Sequence, residues 1–312
     1  MGLRIVFLGT PEFAVPSLRA LAARHEVAAV YTQPDRPKGR GNRLAEPPVK
    51  IAAKELGLSV LQPERIRRAE NLEPLRAWAA EMMVVVGYGQ IIPQNIIDLA
   101  RYGILNVHAS LLPKYRGAAP VQWAIANGET ETGVTIMQID AGLDTGDMLL
   151  KERLAIGESE TAAELSVRLA PLGAELLLEA IGRIEAGTAK REKQRAEGAT
   201  LAPILKKEDG LVDWRCTAGE IYNRWRGFNP WPGAYTVFRR QQMSIIRARL
   251  AERRVEEPGR VWAENRRTFA SCGGGTALEL LEVQLAGKKR MSAEAFLNGY
   301  PLAENEMLGD KP

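Results

Sequence analysis

The sequence predicts an α/β protein: a Rossmann-like, mostly parallel sheet in an N-terminal domain, then a small OB-like antiparallel β-barrel. Three observations predict it. Apolar strand patterns alternate with helical ones through the first 189 residues. Residues 190–203 are polar and lack apolar periodicity. Beyond them, short strand-like runs alternate with Gly, Pro and charged turns. A chain of 312 residues suits two domains. The expected division is a Rossmann-like domain over 1–189, a linker over 190–204 and an OB-like barrel domain over 205–312.

The elements follow in order. Residues 4–8 form a short apolar strand, 14–23 have helical spacing, and 26–31 form a second strand. This β-α-β opening implies a parallel sheet with a crossover helix. Residues 47–56 read as a helix, with Gly57 just past its end as a stop signal. Residues 82–87 are apolar and β-branched on both faces, as a central parallel strand should be. A short helix over 96–100 and a strand over 103–108 come next. Two more strands, 135–139 and 148–153, precede a long amphipathic helix over 161–186. In the second domain a helix over 218–226 leads into strands over 235–238, 244–251, 260–262 and 277–283.

Composition excludes several classes. With 46% hydrophobic and 26% charged residues the chain is neither disordered nor membranous. No apolar run reaches the ~18 residues of a membrane span. The opening MGLRIVFLGTPEF ends in turn chemistry, so it reads as a core strand and not a signal peptide. A cytoplasmic location is expected. Cys216 and Cys272 lie far apart with no Cys-x-x-Cys, which argues against a disulfide framework or structural zinc. Residues 201–312 hold 18 Lys/Arg and 14 Asp/Glu, so all of the +4 net charge sits there. Such asymmetry favours a polyanionic partner.

One loop stands out. Residues 32–46, TQPDRPKGRGNRLAE, are far longer than the ~2–6 residues a βα connection needs. Between residues 34 and 44, Arg36, Lys38, Arg40 and Arg43 stand against Asp35 alone, a net of +3. Its prolines and glycines suit neither helix nor strand. It reads either as a solvated surface loop or as a basic arm that closes on an anion.

Chemistry is confined to few residues. Of the two histidines, His25 reads as a solvated turn residue, while His108 ends a core strand. Sites in open α/β sheets lie at such carboxyl ends. Asn106 and His108 are two apart, so their side chains share a face with Cα atoms about 6.6 Å apart. They are either a functional pair or a hydrogen-bonded structural pair. Downstream, IDAGLDTGDMLL places Asp140, Asp144 and Asp147 among Gly142 and Gly146, a loop able to present a catalytic carboxylate. No ligand histidine accompanies them, so no metal is expected. One Gly in LGTP is not a dinucleotide fingerprint, and no P-loop occurs, so neither NAD nor ATP is expected. The strongest basic candidates of the second domain are Lys206, Lys207, Lys288, Lys289 and Arg290.

These residues also carry a resemblance. NVHASLLPKYRG (106–117), ETGVTIMQIDAGLDTGDML (131–149), IVFLGTPEFAVPSL and TQPDRPKGRG resemble the 10-formyltetrahydrofolate-dependent formyltransferases over nearly the whole chain. GFNPWPGAY (227–235) and AGKK (286–289) are similar to the second domain of members that use initiator methionyl-tRNA. Position 109 is Ala where some relatives have Pro, a small departure. The resemblance implies a one-carbon transferase with 10-formyltetrahydrofolate as donor and co-substrate and initiator methionyl-tRNA as acceptor, serving translation initiation. It implies Asn106, His108 and Asp144 as the catalytic trio, and it selects Asp144 over Asp140 and Asp147. Ser110, Leu111, Leu112 and Pro113 would line the folate site. Tyr88, Gln90, Ile91, Ile92 and the loop from Asp140 would wall the pterin. Arg40 would contact the tRNA acceptor end, with Arg36, Lys38 and Arg43 beside it, and Phe13 would help enclose the methionyl side chain. A monomer with no membrane partner is expected.

Overall fold

The computed structural model describes residues 2–38, 43–253 and 257–309. The chain divides into two compact units that are not contiguous in sequence. One comprises residues 1–120, 131–155 and 165–204, and the other 121–130, 156–164 and 205–312. Residues 190–204, expected as a linker, therefore group with the first unit.

The first unit opens with β1 (Arg4–Gly9), α1 (Val15–Ala22) and β2 (Glu26–Tyr31). Pro16 sits in the first turn of α1, where a missing N–H costs nothing. The long basic loop is a correction: it contains β3 (Arg36–Lys38) and β4 (Arg43–Ala45), an antiparallel ribbon with Arg36 opposite Ala45 and Pro37 opposite Leu44. Proline is excluded from a wide sheet but tolerated in an edge ribbon. The ribbon's ends are also drawn together. Lys50, on α2 (Pro48–Glu55), ion-pairs with Asp35 at 2.6 Å before it and with Glu46 at 3.1 Å after it. His25 is a second correction: it is half-buried, its Nδ1 accepts from the Leu3 N–H at 3.1 Å, and burial lowers its pKa.

Then come β5 (Val60–Leu61), α3 (Leu72–Ala77), β6 (Met82–Val86), α4 (Gln94–Ile97) and β7 (Ile104–His108). After α5 (Pro120–Ala126) follow β8 (Glu131–Gln138), β9 (Met148–Ala155) and α6 (Ala162–Glu185). The strand order is β5-β2-β1-β6-β7-β8-β9. The first five are parallel, and β8 and β9 are antiparallel additions at one edge. The β8–β9 connection, residues 139–147, is shorter than the dozen or so residues a parallel crossover needs, so the chain must reverse there. Central strands are buried on both faces. Val6 and Leu8 pack with Met83, Ile96 and Ile97 on one side, and Ile5 and Phe7 are equally inaccessible. From β1 the chain first winds toward β2 and β5, then returns to β6. The carboxyl ends of β1 and β6 thus sit at the reversal of winding, where such sheets bind ligands, and β7 lies beside β6.

The second unit contains α7 (Ala218–Gly227), β10 (Ala234–Phe238), β11 (Gln241–Ala251), β12 (Val261–Glu264), β13 (Arg267–Ser271), β14 (Ala277–Leu285), β15 (Met291–Ser292) and α8 (Ala293–Gly299). Thr217 and Glu220 close a capping box at the start of α7. The antiparallel order is β10-β11-β14-β13-β12, with β15 on β14. Ile221, Met243, Ile245, Leu278, Leu280 and Phe296 fill one core. Residues 121–130 and 156–164 join this unit through direct contacts. The Trp123 and Phe228 rings meet edge-on at 5.3 Å, and the buried Arg226 guanidinium donates to the Gly157 and Glu160 carbonyls at 3.0 and 3.3 Å. The two thiols are unpaired, and burial pushes Cys272 up to about 12.

Glu279, buried on β14, receives Arg249 Nε from β11 at 2.5 Å and Arg267 Nε from β13 at 2.8 Å. These bonds, Arg267 foremost, hold its carboxyl at about 2 against an ordinary 4.5. A depressed carboxylate stabilises the fold fully above its unfolded pKa and loses that contribution as pH falls through its folded value. Thermal unfolding midpoints should therefore drop between pH about 4.5 and about 2. Glu279→Gln should unfold about 1–3 kcal/mol more easily at pH 7 and show a flatter acid profile. Equal stability of variant and parent at pH 7 would refute this role.

Candidate active site

β7 lies between the parallel β6 and the antiparallel β8, with Asn106 beside Val85 and opposite Met137, and His108 opposite Thr135. Every residue of β7 is buried, including the amide of Asn106 (8% exposed) and the imidazole of His108 (5%). Polar groups this deep require partners, and the β8–β9 turn supplies one. Asp144 turns its carboxylate toward both: Asn106 Nδ2 donates to Oδ1 at 3.3 Å, and His108 Nδ1 lies 3.6 Å from Oδ2. The Gly117 N–H donates to Oδ2 at 2.8 Å. His108 Nε2 lies 2.9 Å from the Tyr115 carbonyl, so that nitrogen carries a proton. Asp144 has φ +50, a left-handed backbone rare for a side chain other than glycine. The turn closes tightly: a Cβ on Gly146 would lie 1.8 Å from the Gln138 carbonyl oxygen.

The segment after β7 is fastened from beneath by Thr135 on β8. Its hydroxyl accepts from the Leu112 N–H at 3.1 Å and donates to the Ser110 carbonyl at 2.7 Å, fully buried. The Ser110 hydroxyl donates to the Lys114 carbonyl at 2.6 Å, and Leu112–Pro113 is cis. Gly117 has φ +123, and a Cβ there would lie 2.6 Å from the Ala202 carbonyl oxygen. An amide, an imidazole and a carboxylate thus converge at one strand end, beside a loop whose backbone shape is held by hydrogen bonds.

A formyl transferase model matches residues 3–181, and a formyl transferase C-terminal domain model matches residues 204–301. The chain belongs to the formyl transferase family. Methionyl-tRNA formyltransferase of Solibacter usitatus is 59% identical over 310 residues, covering 99% of each chain. Proteins of the same name from Acidobacterium capsulatum and Koribacter versatilis are 54% and 55% identical, covering at least 98% of each chain. Among solved structures, the N-formyltransferase of Helicobacter canadensis, in complex with folinic acid and dTDP-3-aminofucose, is similar with a TM-score of 0.67 and 20% identity. It covers 89% of this chain and 98% of its own. HypX of Aquifex aeolicus with tetrahydrofolic acid gives 0.64 at 17% identity, over all of this chain and 51% of that one. At these identities the structures speak for the formyl transferase fold.

The other expected residues fall in different surroundings. The Tyr88 ring is buried in the sheet core, where burial raises its pKa, and its carbonyl accepts from Thr10 Oγ1 at 3.0 Å and Gln33 Nε2 at 3.1 Å. Gln90 accepts from the Ile66 N–H at 2.6 Å and donates to the Pro63 carbonyl at 3.0 Å. Ile91 is exposed and Ile92 packs against the core. The Asp140 carboxylate closes its own turn onto the Gly142 N–H and Thr145 Oγ1. Among the described residues no cluster of His, Cys, Asp or Glu could hold a metal. Phe13 is half-buried in the turn after β1, and Arg36 is exposed. Arg40 and the side chains of Lys38 and Arg43 lie outside the described residues. Lys206, Lys207, Lys288, Lys289 and Arg290 are all exposed on the second unit.

Sequence reading missed three contributors: the Gly117 N–H, the Tyr115 carbonyl and Thr135. Backbone groups leave no residue-type signal. Thr135 had one, as a hydroxyl amid the apolar positions of a strand. Thr135→Val removes the acceptor of the buried Leu112 N–H, which should cost about 1–3 kcal/mol. Chemical denaturation of the two proteins would measure it, and equal midpoints would show that the hydroxyl does not hold this loop.

Proposed function

We propose that this chain transfers the formyl group of 10-formyltetrahydrofolate to the free amino group of the methionyl moiety of initiator methionyl-tRNA, giving N-formylmethionyl-tRNA. The observation that carries the reading is the convergence of Asn106, His108 and Asp144, in a chain 59% identical over its length to a methionyl-tRNA formyltransferase. The loop 110–113 supports a folate site beside them, since Thr135 sets its backbone in advance of any ligand. No described helix is long and apolar enough to cross a membrane. We read the enzyme as a cytoplasmic monomer, because one chain supplies the whole trio and aminoacylated tRNA is found in that compartment.

Attack of the amine on the formyl carbon places negative charge on the formyl oxygen. The amine's proton must then reach the folate nitrogen as the carbon–nitrogen bond to it breaks. Asn106 spends one N–H on Asp144 and has a second on the same nitrogen to donate to the oxyanion. His108 exchanges the proton, an imidazole being able to do so near neutral pH. Asp144 receives the Gly117 N–H, orients the imidazole and pairs with it when it is protonated. The basic residues from Arg36 to Arg43 and the exposed lysines of the second unit hold tRNA by its phosphates.

The decisive assay offers initiator methionyl-tRNA and a panel of small amines, amino sugar nucleotides included, with 10-formyltetrahydrofolate. Formylation of the tRNA is expected. Asn106→Ala should lose about 2.7–4 kcal/mol of transition-state stabilisation while keeping folate affinity. His108→Ala should be inactive. Transfer to a small amine alone would overturn the tRNA reading, and undiminished turnover in either variant would overturn the trio. Affinity for tRNA should fall as salt rises, and Arg40→Ala should reduce that slope by about one counterion. A slope equal to that of the parent would remove Arg40 from the contact.

A further inference from the structure

The polar stretch after α6 contributes directly to the geometry of the trio. Gln194 Nε2 donates to the Asp144 carbonyl and to the Gly146 carbonyl, both at 2.8 Å. Its Oε1 accepts from Arg116 Nε at 3.0 Å and Nη2 at 2.8 Å. Both N–H groups of this amide and its oxygen are therefore committed. The guanidinium that fixes the amide belongs to the residue beside Gly117, whose N–H meets the Asp144 carboxylate. Six residues on, Thr200 Oγ1 accepts from the Tyr115 N–H at 2.8 Å, and the Tyr115 carbonyl is the partner of His108 Nε2. Backbone bonds secure the same strap: Arg116 N–H to the Thr200 carbonyl at 2.9 Å and Ala202 N–H to the Arg116 carbonyl at 2.7 Å.

The physical need is clear at Asp144. A left-handed backbone at a non-glycine residue costs on the order of 1–3 kcal/mol and persists only where its surroundings hold it. Within the turn, the side chains of Asp140 and Thr145 brace the residues before and after Asp144. The Asp144 and Gly146 carbonyls are instead gripped by Gln194, from fifty residues away in sequence.

We propose that Gln194, clamped by Arg116, is a positioning residue for formyl transfer: it locks the Asp144 turn so that the carboxylate faces Asn106 and His108. Gln194 touches no reacting atom and acts through Asp144. The proposal rests on the functional reading above for its catalytic consequence.

The test compares Gln194→Ala and Gln194→Glu. The glutamate keeps the shape and the pairing with Arg116, but its carboxylate cannot donate to the two carbonyls. Both variants should keep KM for 10-formyltetrahydrofolate and for methionyl-tRNA within about twofold and lose about 10- to 100-fold in kcat, the scale of a misplaced catalytic group. A second readout needs no turnover. The chain has two histidines, so the imidazole resonances are few, and His25→Asn assigns them. The His108 ring resonances should move in both Gln194 variants while those of His25 stay. Parental kcat in both variants, recovery of kcat in Gln194→Glu, or an unmoved His108 signal would overturn the proposal. If the parent protein formylates no acceptor, the functional reading fails, and the His108 resonance still decides whether Gln194 sets this geometry.

Discussion

An amide and an imidazole buried at the end of a central strand must be given partners, because an unpaired polar group that deep costs as much as several good contacts return. The Asp144 carboxylate meets that need. It takes the Asn106 amide and the Gly117 N–H and faces the His108 ring, while the Tyr115 carbonyl takes the far side of the imidazole. The same contacts that permit burial also bring an amide donor, an imidazole and a carboxylate together.

Topology explains why Asp144 can be there. β7 is the last parallel strand, and β8 and β9 are added antiparallel beyond it. The reversal between β8 and β9 leaves the sheet at the level of Leu105, at the amino end of β7, and its loop folds back to bring Asp144 to Asn106 and His108. Glycine is required at Gly146, which has no room for a Cβ. The cost of the turn's backbone is met from outside it, by Gln194 and Arg116. Thr135 on β8 shows the same economy: one hydroxyl in a strand interior sets the loop that carries Ser110 to Pro113.

The second unit follows different rules. It is antiparallel and packs around one core, and the net +4 of its residues 205–312 is offset within the unit by Glu129, Glu158, Glu160 and Glu164. Its internal ion pairs, such as Glu279 between Arg249 and Arg267, use part of the arginine content for stability. The lysines at 206, 207, 288 and 289 are exposed and suit a phosphate backbone.

The fold class, the alternation of β and α, and the placing of Asn106 and His108 at one strand mouth were legible in the sequence, because strand and helix periods are local and a two-residue spacing sets a shared face. Periodicity did not reach β5, α3 or α5, which are too short to show it, nor the β3–β4 ribbon, whose prolines argue against strand and whose ends are tied by Lys50 across residues distant in sequence. Spacing alone left three aspartates open. Only the tertiary structure shows Asp140 closing its own turn and Asp144 facing the histidine. It alone also shows Gln194, in a stretch that reads as a polar linker, gripping the Asp144 turn. The physical reason is common to these cases. Residue type and period determine which groups are buried and on which face, whereas the partner of a buried polar group is often a backbone N–H or carbonyl brought in from far along the chain, and the sequence carries no mark of it.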